Sequence, residues 1–204
     1  MIVAIFDFDG TMTKRDTLIP FLKYALGWWK FLWVALRSLA DITKFMLGSL
    51  DRQTMKENLL RRSISGRSYD DLVRVGKEFA KTQIPRMVRQ EGIDRLQWHI
   101  ANEHKCMLVS ASLDIYLEAW GGIHGFDGVI CSRLAVSNNG TVNGRLVGRN
   151  CRGKEKLRRL YEQLRPGDIS ELYVYGDSAG DSDLLAVADH AFYRSFSKEV
   201  AWPI

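Results

Sequence analysis

Covalent staples and soft metal ligands are scarce in this chain. Its three cysteines, Cys106, Cys131 and Cys151, leave an odd count and form no metal-type spacing, and its four histidines, His99, His104, His124 and His190, have no ligand spacing. A disulfide framework and a zinc centre are thereby excluded as organising features, and a reduced, cytoplasmic setting is the simplest expectation. No uncharged run approaches the ~20 residues of a membrane-spanning helix. No basic segment precedes the first apolar run, which ends in an aspartate, so the start does not read as a signal peptide. Internal repeats and low-complexity segments are missing too. What is left is a chain of 204 residues, 46% hydrophobic and 26% charged. That is ordinary for a globular protein and enough for one substantial core plus a small insertion.

The first strand carries the strongest signal. Met1-Ile2-Val3-Ala4-Ile5-Phe6 runs into Asp7-Phe8-Asp9-Gly10-Thr11. Alternate side chains of an extended strand share a face, so Asp7 and Asp9 are expected to point the same way where a buried strand reaches solvent. Two like charges there call for a cation. Mg²⁺ fits best, being a hard ion that takes one or two carboxylates and leaves places for water and a phosphate. The pattern recurs at Leu172-Tyr173-Val174-Tyr175, which leads into Gly176-Asp177-Ser178-Ala179-Gly180-Asp181. Between them Met107-Leu108-Val109-Ser110-Ala111-Ser112 reads as a buried strand ending in hydroxyls, and Cys151-Arg152-Gly153-Lys154-Glu155-Lys156 opens a helix. Open α/β sheets bind ligands beyond the carboxyl ends of their strands, so these groups should gather at one edge.

In all four motifs and their order the chain resembles the haloacid dehalogenase superfamily of phosphohydrolases, and its helical insertion resembles the phosphoserine phosphatase-like subclass. The likeness extends through Cys131-Ser132-Arg133, Asn139-Gly140 and Cys151-x-Gly153-x-x-Lys156, most of the core. It implies an α/β fold with a doubly wound, mostly parallel sheet, an inserted helical cap and a β-hairpin. Residues 1–14 and 85–204 form the expected catalytic core, and 15–84 the cap. The resemblance assigns Asp7 as a nucleophile that becomes a transient aspartyl phosphate and Asp9 as the acid and base that also offers its backbone carbonyl to the metal. Asp7, Asp9 and Asp177 are the expected Mg²⁺ ligands, with Asp181 either a ligand or a partner of one. Thr11, Ser110 and a lysine would bind phosphoryl oxygens. Family spacing favours Lys156 over Lys154, whereas helical periodicity leaves both open. In phosphoserine phosphatases a cap glutamate binds the substrate amino group, and Asp16 stands at the matching position with a shorter side chain. Arg61 and Arg62 lie near the position of an arginine that holds the substrate carboxylate.

Between the sheet motifs, Ile93, Leu96 and Ile100 are spaced for a helix, Ser112 or Asp114 is a candidate cap for the next one, and Leu134-Ala135-Val136 and Val142 flank Asn139-Gly140 as a hairpin with a two-residue turn.

Charge and aromatic content single out the cap. Lys14 to Ile84 holds 14 Lys/Arg against 7 Asp/Glu. That surplus favours anionic substrates or an anionic bilayer, and no nucleic-acid partner is expected. Phe21 to Arg37 is rich in large apolar residues, and Lys23, Lys30, Arg37 and Lys44 recur every seven positions. Two accounts suit the pattern: a cap helix whose tryptophans are buried around a pocket, or an interfacial helix lying on a membrane. The hydrophobic cap and Asp16 together point to a lipid-linked phosphate, resembling the phosphatidylglycerophosphate phosphatases of this subclass, hydrolysed at the inner face of a membrane. A soluble phosphoserine-like or sugar phosphate substrate is the alternative. A phosphoryl-accepting receiver domain is the non-enzymatic one, and the large insertion and Asp9 argue against it.

Overall fold

The computed structural model describes residues 1–199; the end of the expected core, 200–204, lies outside the described residues. Strand β1 (Ile2–Phe6) is the centre of the molecule. Four helices follow it: α1 (Leu18–Leu26), α2 (Trp28–Met46), α3 (Arg52–Ile64) and α4 (Tyr69–Thr82). Helix α5 (Gln90–Ala101) leads into β2 (Lys105–Leu113), and α6 (Asp114–His124) into β3 (Gly128–Ser132). A hairpin of β4 (Leu134–Val136) and β5 (Val142–Leu146) precedes α7 (Lys154–Gln163), β6 (Glu171–Gly176), α8 (Ser182–Ala186) and β7 (His190–Tyr193).

The main sheet has the order β3-β2-β1-β6-β7, with every pairing parallel. A strand buried on both faces needs an almost unbroken apolar sequence. Val3-Ala4-Ile5-Phe6 supplies it, each residue fully buried. Phe6 pairs with Leu108 on one side and Tyr175 on the other. That register brings Asp7, Ser110 and Asp177 to one edge. The expected fold class is therefore the observed one.

Two apolar clusters cover the faces of the sheet. Val3, Ile5, Val109, Leu160 and Val174 pack on the α7 side. On the other side Phe6, Phe8, Trp120 and Tyr116 continue directly into Phe21, Leu22, Leu60, Leu72 and Phe79 from the inserted helices. The insertion thus shares the core of the sheet; α2 adds only Phe31 at its edge, and its own buried residues are Val34, Ser38 and Asp41.

Two local expectations are corrected. Neither Ser112 nor Asp114 caps α6: Ser112 turns to Asp9, and Asp114 is the first residue of the helix, its carboxylate accepting from the Tyr69 hydroxyl at 2.9 Å. The hairpin loop runs over Ser137–Thr141 and is longer than a two-residue turn, because Val136 pairs with Val142 and the Asn139 side chain accepts from the Thr141 amide at 3.2 Å.

A histidine locks the back of this core. His99 is fully buried, its Nε2 2.9 Å from the Tyr175 hydroxyl and its Nδ1 2.7 Å from Nδ1 of His104. Burial, with His104 and Arg95 nearby, pushes its pKa from 6.5 down to about 3. The unfolded chain therefore binds a proton below pH 6.5 that the folded chain refuses. Stability is full above that pH and falls as the solution is acidified towards 3. Urea unfolding should lose about 2 kcal/mol between pH 7 and pH 5. His99→Phe should flatten that loss, and an unchanged pH dependence in the variant would refute the assignment.

Candidate active site

The chain leaves β1 through a tight turn over Phe8–Met12. Thr13 closes it, donating from its amide and its hydroxyl to the Phe8 carbonyl at 3.0 and 3.1 Å. Gly10 has φ +88°, and a Cβ there would lie 2.3 Å from Oδ2 of Asp177. Glycine therefore satisfies both the left-handed backbone and the close approach of the second acidic loop. Asp7 is still extended but the turn begins at Phe8, so the expectation that Asp7 and Asp9 share a face does not hold for their carboxylates.

Asp7 is buried, its amide tied to the Tyr175 carbonyl at 2.9 Å and its Oδ1 accepting from Lys156 Nζ at 2.5 Å. The same ammonium donates to Oδ1 of Asp181 at 2.6 Å. Oδ2 of Asp181 accepts from the Ser178 amide at 3.1 Å, the Ser178 hydroxyl at 3.0 Å and the Asp177 amide at 3.3 Å. Burial drives the Asp7 carboxyl up to about 8 against the pull of Lys156, with Asp181 adding to the rise. Burial opposes the charge on Lys156, but Asp7 and Asp181 outweigh it and hold the ammonium protonated. Burial also opposes ionisation of Asp181, yet Lys156 and the Ser178 donors keep its carboxyl below the usual range. At Asp177 burial and the neighbouring Asp181 raise the pKa.

Asp7, Asp177 and Asp181 each offer a carboxylate oxygen, and these atoms lie within 4.8 Å of one another. Such a set consists of hard donors only, and the upward push on Asp7 and Asp177 marks a site short of positive charge. The residues fit a hard divalent cation. The Asp9 carboxylate is turned away from this group. Its Oδ1 accepts from the amide and hydroxyl of Thr17 at 2.8 and 2.7 Å, and its Oδ2 from the Ser112 hydroxyl. Burial, then Asp16, raises its pKa to about 6 against those hydrogen bonds.

The other expected residues divide. Ser110 is buried and lines the same cavity of about 370 Å³ as Asp7, Asp9, Lys156 and Asp177. Thr11 donates its hydroxyl to Asp177 Oδ1 at 3.5 Å. Lys154 is exposed at the start of α7, whereas Lys156 is buried among the carboxylates. Asp16 is exposed but lines the cavity wall. Arg62 bonds Asp41 at 2.5 Å, and Arg61 reaches Asn58 at 3.3 Å and packs against Gly144 of the hairpin. Neither arginine reaches the carboxylate group.

A second cavity, of about 410 Å³, adjoins the first and shares Asp9, Asp16, Ala111 and Arg152 with it. Its walls are apolar, from Leu18, Phe31, Ala35, Met55 and Leu59 of α1, α2 and α3, and Arg62 stands among its lining residues. Lys56 of α3 lines it as well, donating to the Ala111 carbonyl at 2.5 Å and Asn150 Oδ1 at 3.0 Å. Burial lowers its pKa to about 8. Sequence reasoning missed Lys56. Its signal was position, since Lys56 precedes Leu60 by one turn and so shares the buried face of α3.

Comparison with known proteins agrees with this geometry. The family model of haloacid dehalogenase-like hydrolases matches residues 4–186. Protein CicA of Caulobacter vibrioides is 32% identical over 196 residues, covering 96% of this chain and 86% of that protein. Among solved structures, a protein of unknown function from Bordetella pertussis Tohama I superposes with TM-score 0.81 at 23% identity, covering 94% of this chain and 88% of that one. A phospho-aspartyl intermediate analogue of phosphoserine phosphatase superposes with TM-score 0.67 at 17% identity, over 94% and 85% of the two chains. The chain belongs to the haloacid dehalogenase-like hydrolases.

Proposed function

We propose that this protein is a Mg²⁺-dependent phosphomonoester hydrolase working through an aspartyl phosphate on Asp7, with a lipid-linked phosphate as its substrate. The observation that carries the chemistry is the buried Asp7–Lys156–Asp181 arrangement at the strand ends, beside Asp177 and Ser110. Residues 1–14 and 85–204 act as the core in this reading, and 15–84 as the cap.

Asp7, Asp177 and the Asp9 carbonyl would hold Mg²⁺, with Asp181 fixing Lys156. When bound, the ion screens the repulsion between the Asp7 carboxylate and an incoming phosphate. An Asp7 oxygen attacks phosphorus, and the bond to the leaving oxygen breaks. Asp9 gives that oxygen its proton. Its pKa of about 6 leaves it able to work in both directions near neutral pH. As a carboxylate, Asp9 then takes a proton from water, whose oxygen attacks phosphorus. The phosphorus–Asp7 bond breaks, and phosphate and the free carboxylate are restored. Lys156 and the Ser110 hydroxyl offset charge on the phosphoryl oxygens. The Thr17 and Ser112 bonds fix the Asp9 carboxylate towards the leaving group, on the side of the inserted helices.

The apolar cavity supports the substrate class. A leaving group that passes Asp9 enters walls made of Leu18, Phe31, Ala35 and Leu59, which suit a hydrocarbon better than a sugar or an amino acid. A cytoplasmic enzyme meeting its substrate at the inner face of a membrane is the setting this reading expects.

Three measurements test it. Asp7→Asn should lower hydrolysis of an aryl phosphate by about 10³-fold or more, and chelation of divalent ions should have the same effect on the parent enzyme. Retained turnover in Asp7→Asn would overturn the mechanism. Lys156→Met leaves two buried carboxylates without their cation and should cost about 3–5 kcal/mol of stability in urea unfolding. Mg²⁺ should recover part of that loss, and a variant as stable as the parent would show that the pair is not coupled. For the substrate, Ala35→Phe sets a ring inside the apolar cavity. It should depress kcat/KM on phosphatidate or phosphatidylglycerophosphate about tenfold while sparing the aryl phosphate. Preference of the parent enzyme for phosphoserine or sugar phosphates would reject the lipid and leave the chemistry standing.

A further inference from the structure

Helix α2 is built back to front for a soluble protein. Its largest apolar side chains are outside: Trp29 is 75% exposed, Trp33 70% and Met46 81%, with Trp28, Leu36 and Leu39 each more than half exposed. At 100° per residue these positions form one continuous face along the helix, about 28 Å long. The opposite side holds Phe31, Val34, Ser38, Asp41 and Phe45 and packs on the rest of the protein. The two expectations for this segment are thereby separated, because the tryptophans do not surround a pocket. An exposed apolar face of this extent calls for a partner.

Charge identifies the partner. Lys30, Arg37 and Lys44 are all exposed and fall two turns apart along one border between the outer apolar face and the buried face. Lys23 of α1 adds a fourth cation, its Nζ 4.3 Å from the Trp28 ring centre. The single acidic residue of α2, Asp41, is on the buried side and bonded to Arg62, so no negative charge of this helix meets the outer face. The opposite border, at Ala35 and Ile42, lines the apolar cavity that leads to Asp9. Tryptophan and leucine on one side with a row of cations at the edge is the pattern of a helix lying in the plane of an anionic bilayer. A second copy of this chain packed antiparallel on this face would bring the same cation row against itself. No helix among the described residues is long and apolar enough to cross a membrane, so attachment through α2 is to one leaflet.

We infer that α2 is a docking helix that seats the protein on an anionic phospholipid surface, with Trp29, Trp33, Leu36 and Met46 in the interfacial layer and Lys30, Arg37 and Lys44 among the headgroups. In that orientation the cavity border at Ile42 opens at the bilayer. The inference stands on the surface of α2 and holds whether or not the substrate is a lipid.

The test is co-sedimentation of the full chain with vesicles of phosphatidylcholine alone or mixed with phosphatidylglycerol, with no phosphate ester present. The parent protein should pellet with the mixed vesicles at low salt, and binding should weaken as salt rises. Trp29→Ser with Trp33→Ser should reduce binding about tenfold or more, and Lys30→Glu with Arg37→Glu should abolish the preference for the anionic vesicles. Both double variants should keep the parent rate on an aryl phosphate, which shows that they are folded. A protein that stays in the supernatant at low salt overturns the inference, as does binding that neither double variant alters. A dimer in solution that either variant converts to monomer would assign the face to a second copy of this chain and reject the bilayer. A parent protein that binds the mixed vesicles but hydrolyses no aryl phosphate would reject the chemistry above and leave the docking helix in place.

Discussion

Everything at this site depends on burying more negative charge than one lysine can neutralise. Lys156 stands between Asp7 and Asp181 at 2.5 and 2.6 Å, all three nearly sealed from solvent. Isolated carboxylates in such a place would take up protons or unfold the strand ends. The lysine keeps Asp181 ionised, but Asp7 is still pushed up, to about 8. A site left in that condition gains from a divalent cation, since metal binding and ionisation of Asp7 then favour each other. The parallel register produces this tension, because Phe6 pairs with Tyr175 and brings two acidic loops side by side. Gly10 lets the loops close, its missing Cβ leaving the room that Asp177 occupies.

The second constraint ties the insertion to the chemistry. Asp9 accepts from Thr17, which precedes α1, and from Ser112 of β2, and Tyr116 of α6 bonds both hydroxyls. An aspartate two residues from the proposed nucleophile is thus oriented by groups from two separate stretches of chain, the one that enters α1 and the one where β2 runs into α6. Phe21 and Phe79 pack edge-on and tilted around the Tyr116 ring and continue the core of the sheet into α1 and α4. The part of the insertion nearest the carboxylates is as firmly packed as the sheet. Its outer part, α2, has only a narrow buried side.

The fold and the carboxylate edge were legible in the sequence because both depend on short-range patterns. Apolar runs of strand length that end in Asp-x-Asp-Gly or Gly-Asp-Ser can be read without knowing their neighbours, and a parallel sheet then forces their ends together. Side-chain direction was less accessible. Asp7 and Asp9 diverge because the chain turns at Phe8, between the two aspartates, which a two-residue spacing does not reveal. Lys154 and Lys156 separate only once α7 is fixed against the sheet and the loop that follows β6. Lys56 went unnoticed because a lysine on a helix reads as solvated, although its spacing from Leu60 sets it on the buried face. Arg61 was drawn towards the site by likeness alone, whereas the hairpin holds it elsewhere.

For α2, periodicity defined the faces but not which one the protein covers. A seven-residue row of cations beside a broad apolar face suits either a buried helix or one lying on a membrane, and only tertiary packing distinguishes them. Here packing uses the narrow strip around Val34, Ser38 and Asp41, where the Asp41–Arg62 pair at 2.5 Å anchors the helix to α3. Had the apolar face been turned inward, the Asp41 carboxylate would have been carried away from its arginine. The observed rotation keeps that ion pair and leaves the cavity open, with the apolar surface exposed. A helix oriented by one ion pair and a few small contacts needs little internal stabilisation if its outer face is covered when the protein works, and this is the condition that the docking inference supplies.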